Sequence, residues 1–308
     1  MIIIYLKWFG IQQEWTDTAY REMISILGVS NHIEITDNEA TAHYILVYNK
    51  HLVKQNRFDL KLLASNYFRT NANRLMIYDE TDEPTFIIRG LYVSTDIRKT
   101  GRHVLPVPYL QTKLLSLNQP NGNVKDILCS FWGRESHQVR SHIFKLNEDQ
   151  YSIIDTSQFD FFDMSPSNQT GIVTQRSRYL KSLASSKYSL CPRGLGTCSI
   201  RLFESIRSHA VPVIISDHYE APRMFDWDLG SIRIRESDVS QIGEILRRDE
   251  SAYEERAQYI QNIASSMFTP SALSEYIATS LPAYSYMDTI KRLTWHLAER
   301  SVKRTCRF

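Results

Sequence analysis

Short apolar runs recur along the chain and alternate with stretches whose apolar positions fall three and four apart. Ile2–Leu6 reads as a buried strand, and the segment from about Asp17 to Leu27 reads as a helix with Ala19, Met23, Ile24 and Leu27 as its inward stripe. The pattern then repeats. His43–Tyr48 predicts a second strand, Phe58–Phe68 a helix and Arg74–Tyr78 a third strand, with Ile87–Val93 and His103–Val107 as further extended segments. Strands that alternate with helices in this way build a parallel sheet covered on its faces.

The polar, turn-rich stretch from Asn118 to Asn123 reads as a linker. Beyond it, Asp126–Trp132 starts a second sheet with Gly133 at its end, and Ser136–Leu146 is a helix carrying Arg140. Tyr151–Asp163 begins as a strand and Gln175–Ser185 is helical. After the central stretch discussed below come a loop at His218–Asp228, a strand at Ser231–Arg235, and helices at Val239–Arg247, Tyr253–Ile263 and Ser271–Ile277. The division expected is therefore a first Rossmann-like domain over 1–118, a second over 119–280, and a basic helix over 281–308. That last segment carries Lys291, Arg292, Arg300, Lys303, Arg304 and Arg307. Its two readings are a helix packing back on the first domain and a peripheral contact with anionic lipid through 287–308.

The stretch Lys187–Asp217 organises the second half. Lys187–Leu190 is a short strand, Pro192, Gly194 and Gly196 break it, Ile200–Ile206 has helical spacing, and Val211–Ser216 is an apolar strand. Glycines let backbone N–H groups approach a ligand, and a helix starting directly after them favours an anion such as a diphosphate. Thr197 and Ser199 are the candidate caps, and neither has Glu or Gln three residues on, so no capping box closes that end. Arg193 and Arg201 add cations. Glu204, off the Ile200, Phe203, Ile206 stripe, lies about 7 Å along the axis from Ser199, an offset resembling that between diphosphate and ribose. The plainer reading makes Arg201 and Glu204 a surface i,i+3 ion pair. In the first half, Asp79, Glu80, Asp82 and Glu83 follow the third strand at its carboxyl end, where open α/β sheets place ligands.

Composition narrows the classes. With 36 basic and 34 acidic side chains among 308 residues, the charge is too balanced for a nucleic-acid partner. Cys129, Cys191, Cys198 and Cys306 have no disulfide or paired metal spacing, as expected of reduced thiols in a cytosol. The N-terminus lacks a basic region and a long apolar core, so it reads as a strand rather than a signal, and no run approaches the roughly 20 apolar residues of a spanning helix. No His-Glu-x-x-His or Gly-x-Ser-x-Gly motif occurs, and Asp226-Trp227-Asp228 is the sole Asp-x-Asp considered for a metal. Neither a metal nor a cofactor is expected.

The run from Ser185 to Pro222 resembles the signature of exostosin-like (GT47) glycosyltransferases: Ser-Lys-Phe-x-Leu-x-Pro-x-Gly, Ser-x-Arg-x-x-Glu-x-Ile, then Pro-Val-Ile-Ile-x-Asp. Ser186, Lys187, Leu190, Pro192, Gly194, Ser199, Arg201, Glu204, Ile206, Pro212 to Ile215 and Asp217 carry the match. Phe131, Gly133 and Arg134 resemble the family's Phe-x-Gly-Arg, with Arg140 as its downstream arginine, and Phe225-Asp226-Trp227 resembles its Leu-Asp-Trp corner. Tyr188 replaces the usual Phe, and His209-Ala210 stands where the family usually has Gly-Cys.

The resemblance implies a GT-B fold, with two Rossmann-like domains facing a cleft, and metal-independent, inverting transfer from a nucleotide-sugar donor to a glycan or lipid-linked glycan acceptor. Members typically carry a membrane anchor and stem, so a chain without them is expected to work in the cytoplasm, against the inner face of a membrane if 287–308 adsorbs. Donor-binding residues would be Arg134, Arg140, Arg193, Gly194, Gly196, Thr197, Ser199, Arg201 and Glu204. By position alone, at the carboxyl end of the third strand, the general base is expected to be Asp79, Glu80 or Asp82, with Asp96, Asp160 and Asp163 next. The alternatives are a catalytically silent nucleotide-sugar or glycan-binding protein and a nucleotide-sugar epimerase of similar fold.

Overall fold

Two parallel sheets carry the chain. The computed structural model describes residues 1–7, 14–49, 58–110, 124–159 and 166–281. One unit takes in the described residues of Met1–Gln111, Glu220–Pro222 and Pro270–Phe308, and the other those of Thr112–Tyr219 and Arg223–Thr269. The linker expected at 118–123 and the basic segment 287–308 lie outside the described residues.

In the first unit, β1 (Ile2–Lys7), β2 (Ile33–Ile35), β3 (Tyr44–Asn49), β4 (Leu75–Asp79), β5 (Gly90–Tyr92) and β6 (Val104–Pro106) pair in the order β2-β1-β3-β4-β5-β6, all parallel. Because β4 is buried on both faces, its sequence is a continuous apolar run rather than an alternation. β2 is three residues long and leaves no periodic signal. Helix α1 (Glu14–Leu27) buries Met23, Ile26 and Leu27, whereas Ile24, expected inward, is exposed. The stripe therefore runs i, i+3, i+4 from Met23. The helix expected over Phe58–Phe68 is two, α2 (Phe58–Ala64) and α3 (Asn66–Asn71), because Ser65 caps the second. Its hydroxyl donates to Leu62 O at 2.6 Å and accepts from Phe68 N at 3.0 Å. Leu62 and Phe68 then close over Ile45, Val47, Leu75 and Ile77, each such side chain contributing about 1.5–3 kcal/mol on full burial.

Helix Pro270–Ser280, placed with the second domain by the sequence division, belongs to this first unit. Ser274 Oγ donates to Leu27 O and Tyr276 OH to Pro106 O, both at 2.8 Å.

In the second unit, β7 (Ile127–Gly133), β8 (Tyr151–Asp155), β9 (Ser186–Pro192), β10 (Val211–Ile215) and β11 (Ile232–Arg233) are again all parallel, in the order β11-β10-β9-β7-β8. Helices α4 (Gln138–Ile143), α5 (Pro166–Ser185) and α6 (Arg201–Arg207) connect them. The order reverses between β7 and β9, and at such a switch point the carboxyl ends of the strands leave a ligand crevice. The two doubly wound sheets are the two halves that the expected α/β class requires.

The end of α6 explains the departure at His209. Ala210 N bonds Ser205 O at 2.9 Å and His209 N bonds Ile206 O at 3.0 Å, the paired closure that demands a left-handed residue between them. His209 fills that position with φ 55°, which costs a residue with a Cβ about 1–2 kcal/mol. Glycine relieves that strain but loses about 0.5–1 kcal/mol of backbone entropy. His209→Gly is expected to stabilise the protein by about 0.5–1 kcal/mol in chemical denaturation; a loss instead would show that the packing of the ring outweighs the strain.

Candidate functional site

The glycine loop leaves β9 at Pro192 and runs into α6 beside the end of β7. Its shape is held by Arg140 of α4, whose Nε donates to Arg193 O at 2.9 Å, Nη1 to Arg134 O at 3.1 Å and Nη2 to Pro192 O at 3.3 Å. Arg140, expected to face a ligand, thus uses its guanidinium to tie the ends of β7 and β9 together. Gly194 fits closely against this brace: a Cβ there would lie 3.1 Å from Arg140 Nη2 and 3.3 Å from Ser136 Oγ. Gly196 is buried alongside it. Arg134 turns its Nη2 onto Phe159 O.

Capping differs from expectation. The residue before α6 is Ile200, itself in the right-handed helical region with no side-chain cap bond, and Leu202 N bonds Ser199 O at 3.0 Å. The chain enters the helix through a tight turn, and the cap position falls on Ile200, one residue after Ser199 and three after Thr197. Ile200, expected on the buried stripe, is exposed, while all seven residues of α6 are buried.

Arg201 is 8% exposed. Its guanidinium lies 4.6 Å from the Phe131 ring centroid, and Nη2 donates to Trp132 O. Gly133 permits this approach, since a Cβ there would stand 3.2 Å from that Nη2. The buried Arg201 Nε has no hydrogen-bond partner among the described residues.

Glu204 is corrected too. It is 7% exposed and does not lie on an open face. Tyr179 OH donates to Glu204 Oε2 at 2.7 Å, and Arg176 Nη1 stands 3.9 Å from Oε1, so its partners come from α5 and not from Arg201. Burial, with the Glu204 charge beside it, pushes the Tyr179 phenol well above its ordinary pKa and keeps it a donor.

Arg193 folds back on its own loop. Nε and Nη2 point to Gly194 O (3.4 Å) and Leu195 O (3.1 Å), and Nη1 lies 3.9 Å from Glu236 Oε1. Glu236 in turn exchanges bonds with Asp217: Asp217 N donates to Glu236 Oε1 at 3.2 Å and Glu236 N to Asp217 Oδ1 at 2.9 Å. His137 caps α4 through Nδ1, 3.3 Å from Val139 N, and the same atom stands 4.0 Å from Glu236 Oε2. Burial and the Arg193 cation hold His137 below its ordinary pKa, although Glu236 pulls it upward. Sequence reasoning singled out none of His137, Tyr179, Arg176 or Glu236 for this site. Asp217 alone carried a signal, as the last residue of the signature.

In the first unit, Asp79 and Glu80 are buried rather than part of a solvated turn. Asp79 Oδ1 accepts from Thr81 N (2.8 Å) and Thr81 Oγ1 (2.5 Å). Glu80 accepts from Tyr78 OH at 2.6 Å and Tyr48 OH at 3.2 Å. Burial, aided by the Glu80 charge, raises both phenols above their ordinary range, so they remain donors. Asp82 is half-buried. Burial alone would raise Asp96, but bonds from Arg98 at 3.0 and 2.6 Å hold it below the usual carboxylate range. Asp160 and Asp163 lie outside the described residues.

Among the described residues there is no group of three side chains fit to hold a metal ion, and no helix long and apolar enough to cross a membrane. Asp226 caps the turn Trp227–Gly230, its Oδ1 accepting from Asp228 N at 2.9 Å and Leu229 N at 3.3 Å. Cys129, Cys191 and Cys198 are buried and form no disulfide among the described residues.

Comparison with known proteins places these residues in context. The model of the exostosin GT47 domain matches residues 61–248. An Exostosin-1 homolog of Caenorhabditis elegans is 40% identical over 73 residues, 23% of this chain and 19% of that protein. A probable glucuronoxylan glucuronosyltransferase of Arabidopsis thaliana is 39% identical over 70 residues, 22% of this chain and 16% of that one. The matched segments are thus under a fifth of either relative's length. The crystal structure of HepE of Anabaena in complex with UDP is similar at 11% identity and a TM-score of 0.40, covering 91% of this chain and 99% of that one.

Proposed function

Because the chain belongs to the exostosin-type (GT47) glycosyltransferase family, we propose that it moves a sugar, with inversion, from a nucleotide-sugar donor to a hydroxyl of a glycan or lipid-linked glycan. The observation that carries this reading is the family match over 61–248, which takes in the glycine loop and α6 with Arg201 and Glu204. One general base would take the acceptor proton as its oxygen attacks the anomeric carbon. Charge developing on the leaving diphosphate would meet Arg201, Arg193 and the loop N–H groups, which stand in for a metal ion. Arg140 and Arg134 act one step removed, by shaping the loop and strand end. A carboxylate has about four acceptor sites, so Glu204 can receive ribose hydroxyls beside Tyr179.

Calorimetric titration with UDP- and GDP-sugars, UDP-glucuronic acid included because one relative is named a glucuronosyltransferase, identifies the donor. Turnover with glycan acceptors in the presence of EDTA then tests transfer. Product of inverted anomeric configuration supports the reading; binding without transfer favours the silent binding protein, and a converted donor sugar favours the epimerase. Sedimentation with anionic vesicles tests whether the basic 287–308 segment brings a lipid-linked acceptor within reach.

Glu204 separates structure from binding. Glu204→Ala strands the Tyr179 hydroxyl and is expected to cost about 1–3 kcal/mol of stability as well as donor affinity. Glu204→Gln keeps an acceptor for Tyr179, and is expected to hold stability near the parent while weakening donor binding about tenfold. Parent-like affinity in the Gln variant would leave Glu204 a structural residue of α5 and α6.

A further inference from the structure

We propose that Glu236 is a built-in competitor for the donor's diphosphate, its carboxylate occupying the Arg193 guanidinium that the diphosphate would engage, so that this one residue sets donor affinity downward. The proposal rests on the donor-site reading above. All three guanidinium nitrogens of Arg193 are directed within the chain, two to its own loop carbonyls and the third, Nη1, toward Glu236 at 3.9 Å. The other oxygen of Glu236 is 4.0 Å from His137 Nδ1, so the carboxylate stands between two groups that border the loop.

What holds Glu236 there is the backbone. The reciprocal bonds with Asp217 fasten the first residue of the turn Glu236–Gln241 to the segment leaving β10. The link to Arg193 is of another kind. At 3.9 Å it exceeds hydrogen-bond length, and both side chains are about one-fifth exposed, 20% and 21%. Such a pair contributes about 0–1 kcal/mol. A diphosphate brings several anionic oxygens and forms shorter, charge-assisted bonds to a guanidinium. It therefore displaces the carboxylate, and the contact subtracts from donor affinity only what the pair was worth. Glutamine at this position keeps an Oε1 acceptor for Asp217 N and removes the charge.

The test is calorimetry with UDP and with GDP, on the parent chain and on Glu236→Gln. Asp238→Asn, on the same turn, serves as the control for net charge; Asp238 accepts from Ser237 Oγ at 2.7 Å. Glu236→Gln is expected to tighten the better-bound nucleotide about two- to fivefold, with Asp238→Asn unchanged. In an Arg193→Gln background the same substitution should give no tightening, because the two residues act as one pair. Unchanged or weaker binding by Glu236→Gln overturns the proposal, the weaker result making Glu236 a positioning residue for Arg193. Equal tightening by Asp238→Asn overturns it in favour of bulk charge. A parent chain that binds neither nucleotide overturns the donor-site reading and this proposal together, whereas a parent that binds beside an unresponsive Glu236→Gln overturns this proposal alone. Thermal melting of each variant accompanies the titrations, and a melt unlike the parent's shifts the decision to the Arg193→Gln pair.

Discussion

Replacing Arg201 with lysine is expected to lower sugar-transfer turnover about 10²-fold or more while the second sheet stays folded. Lysine keeps the charge but loses the planar fork. In the protein that fork is used on two sides at once: it lies over the Phe131 ring at 4.6 Å, one nitrogen donates to Trp132 O, and buried Nε has no partner among the described residues. A flexible ammonium cannot reproduce a donor held at that spot, and an anion-stabilising donor is worth most when its position is paid for in advance by packing. Lost stacking and one lost hydrogen bond should also reduce stability by about 1–2 kcal/mol. Steady-state turnover at saturating donor, with denaturation in parallel, reads both effects. A lysine variant with near-parent turnover would reduce Arg201 to a residue that joins α6 to β7.

Asp82→Asn is expected to cost about 10²-fold or more in turnover with donor affinity retained, and to stand apart from its neighbours in doing so. The three candidate carboxylates at the end of β4 differ in burial. Asp79 is closed into a turn by the Thr81 N–H and hydroxyl, and Glu80 receives two phenolic hydrogen bonds. Both carboxylates are thus engaged inside the first unit and shielded from an acceptor hydroxyl. Glu80→Gln should therefore register mainly as lost stability, about 1–3 kcal/mol, from two buried phenols given a poorer acceptor. Asp79→Asn keeps the acceptor for Thr81 N and should change little. Asp82 is half-buried where Asp79 and Glu80 are buried, and this greater access to water is the ground for expecting it to take the proton. Separate turnover assays on the three variants sort them. Near-parent rates in all three would send the search for the base to the segment containing Asp160 and Asp163.

The main-chain architecture was legible because burial of a parallel strand on both faces demands an unbroken apolar run, and runs such as Leu75–Tyr78 and Val211–Ile215 contain little else. The glycine loop was legible because Pro192, Gly194 and Gly196 interrupt the strand pattern, and Gly194 leaves room for the side chains of Arg140 and Ser136. The family signature followed from the same residues. Even the odd position had its cause in the sequence, where a histidine stands at the left-handed end of α6.

What the chain alone did not determine is where its polar side chains end. Periodicity counts neighbours on one element, and it put Ile24 and Ile200 inside and Glu204 outside; the structure reverses all three, and at Glu204 the cover comes from another element, through Tyr179 and Arg176 of α5. Long side chains are harder still. Arg140, Arg193 and Arg201 share one charge and one neighbourhood, yet one braces three carbonyls, one folds onto its loop and Glu236, and one stacks on Phe131. Which of these a guanidinium does depends on which carbonyls and carboxylates other strands and turns bring within about 3–4 Å of it. That distance is a property of the folded sheet, and residues 19 positions apart such as Asp217 and Glu236 meet only there.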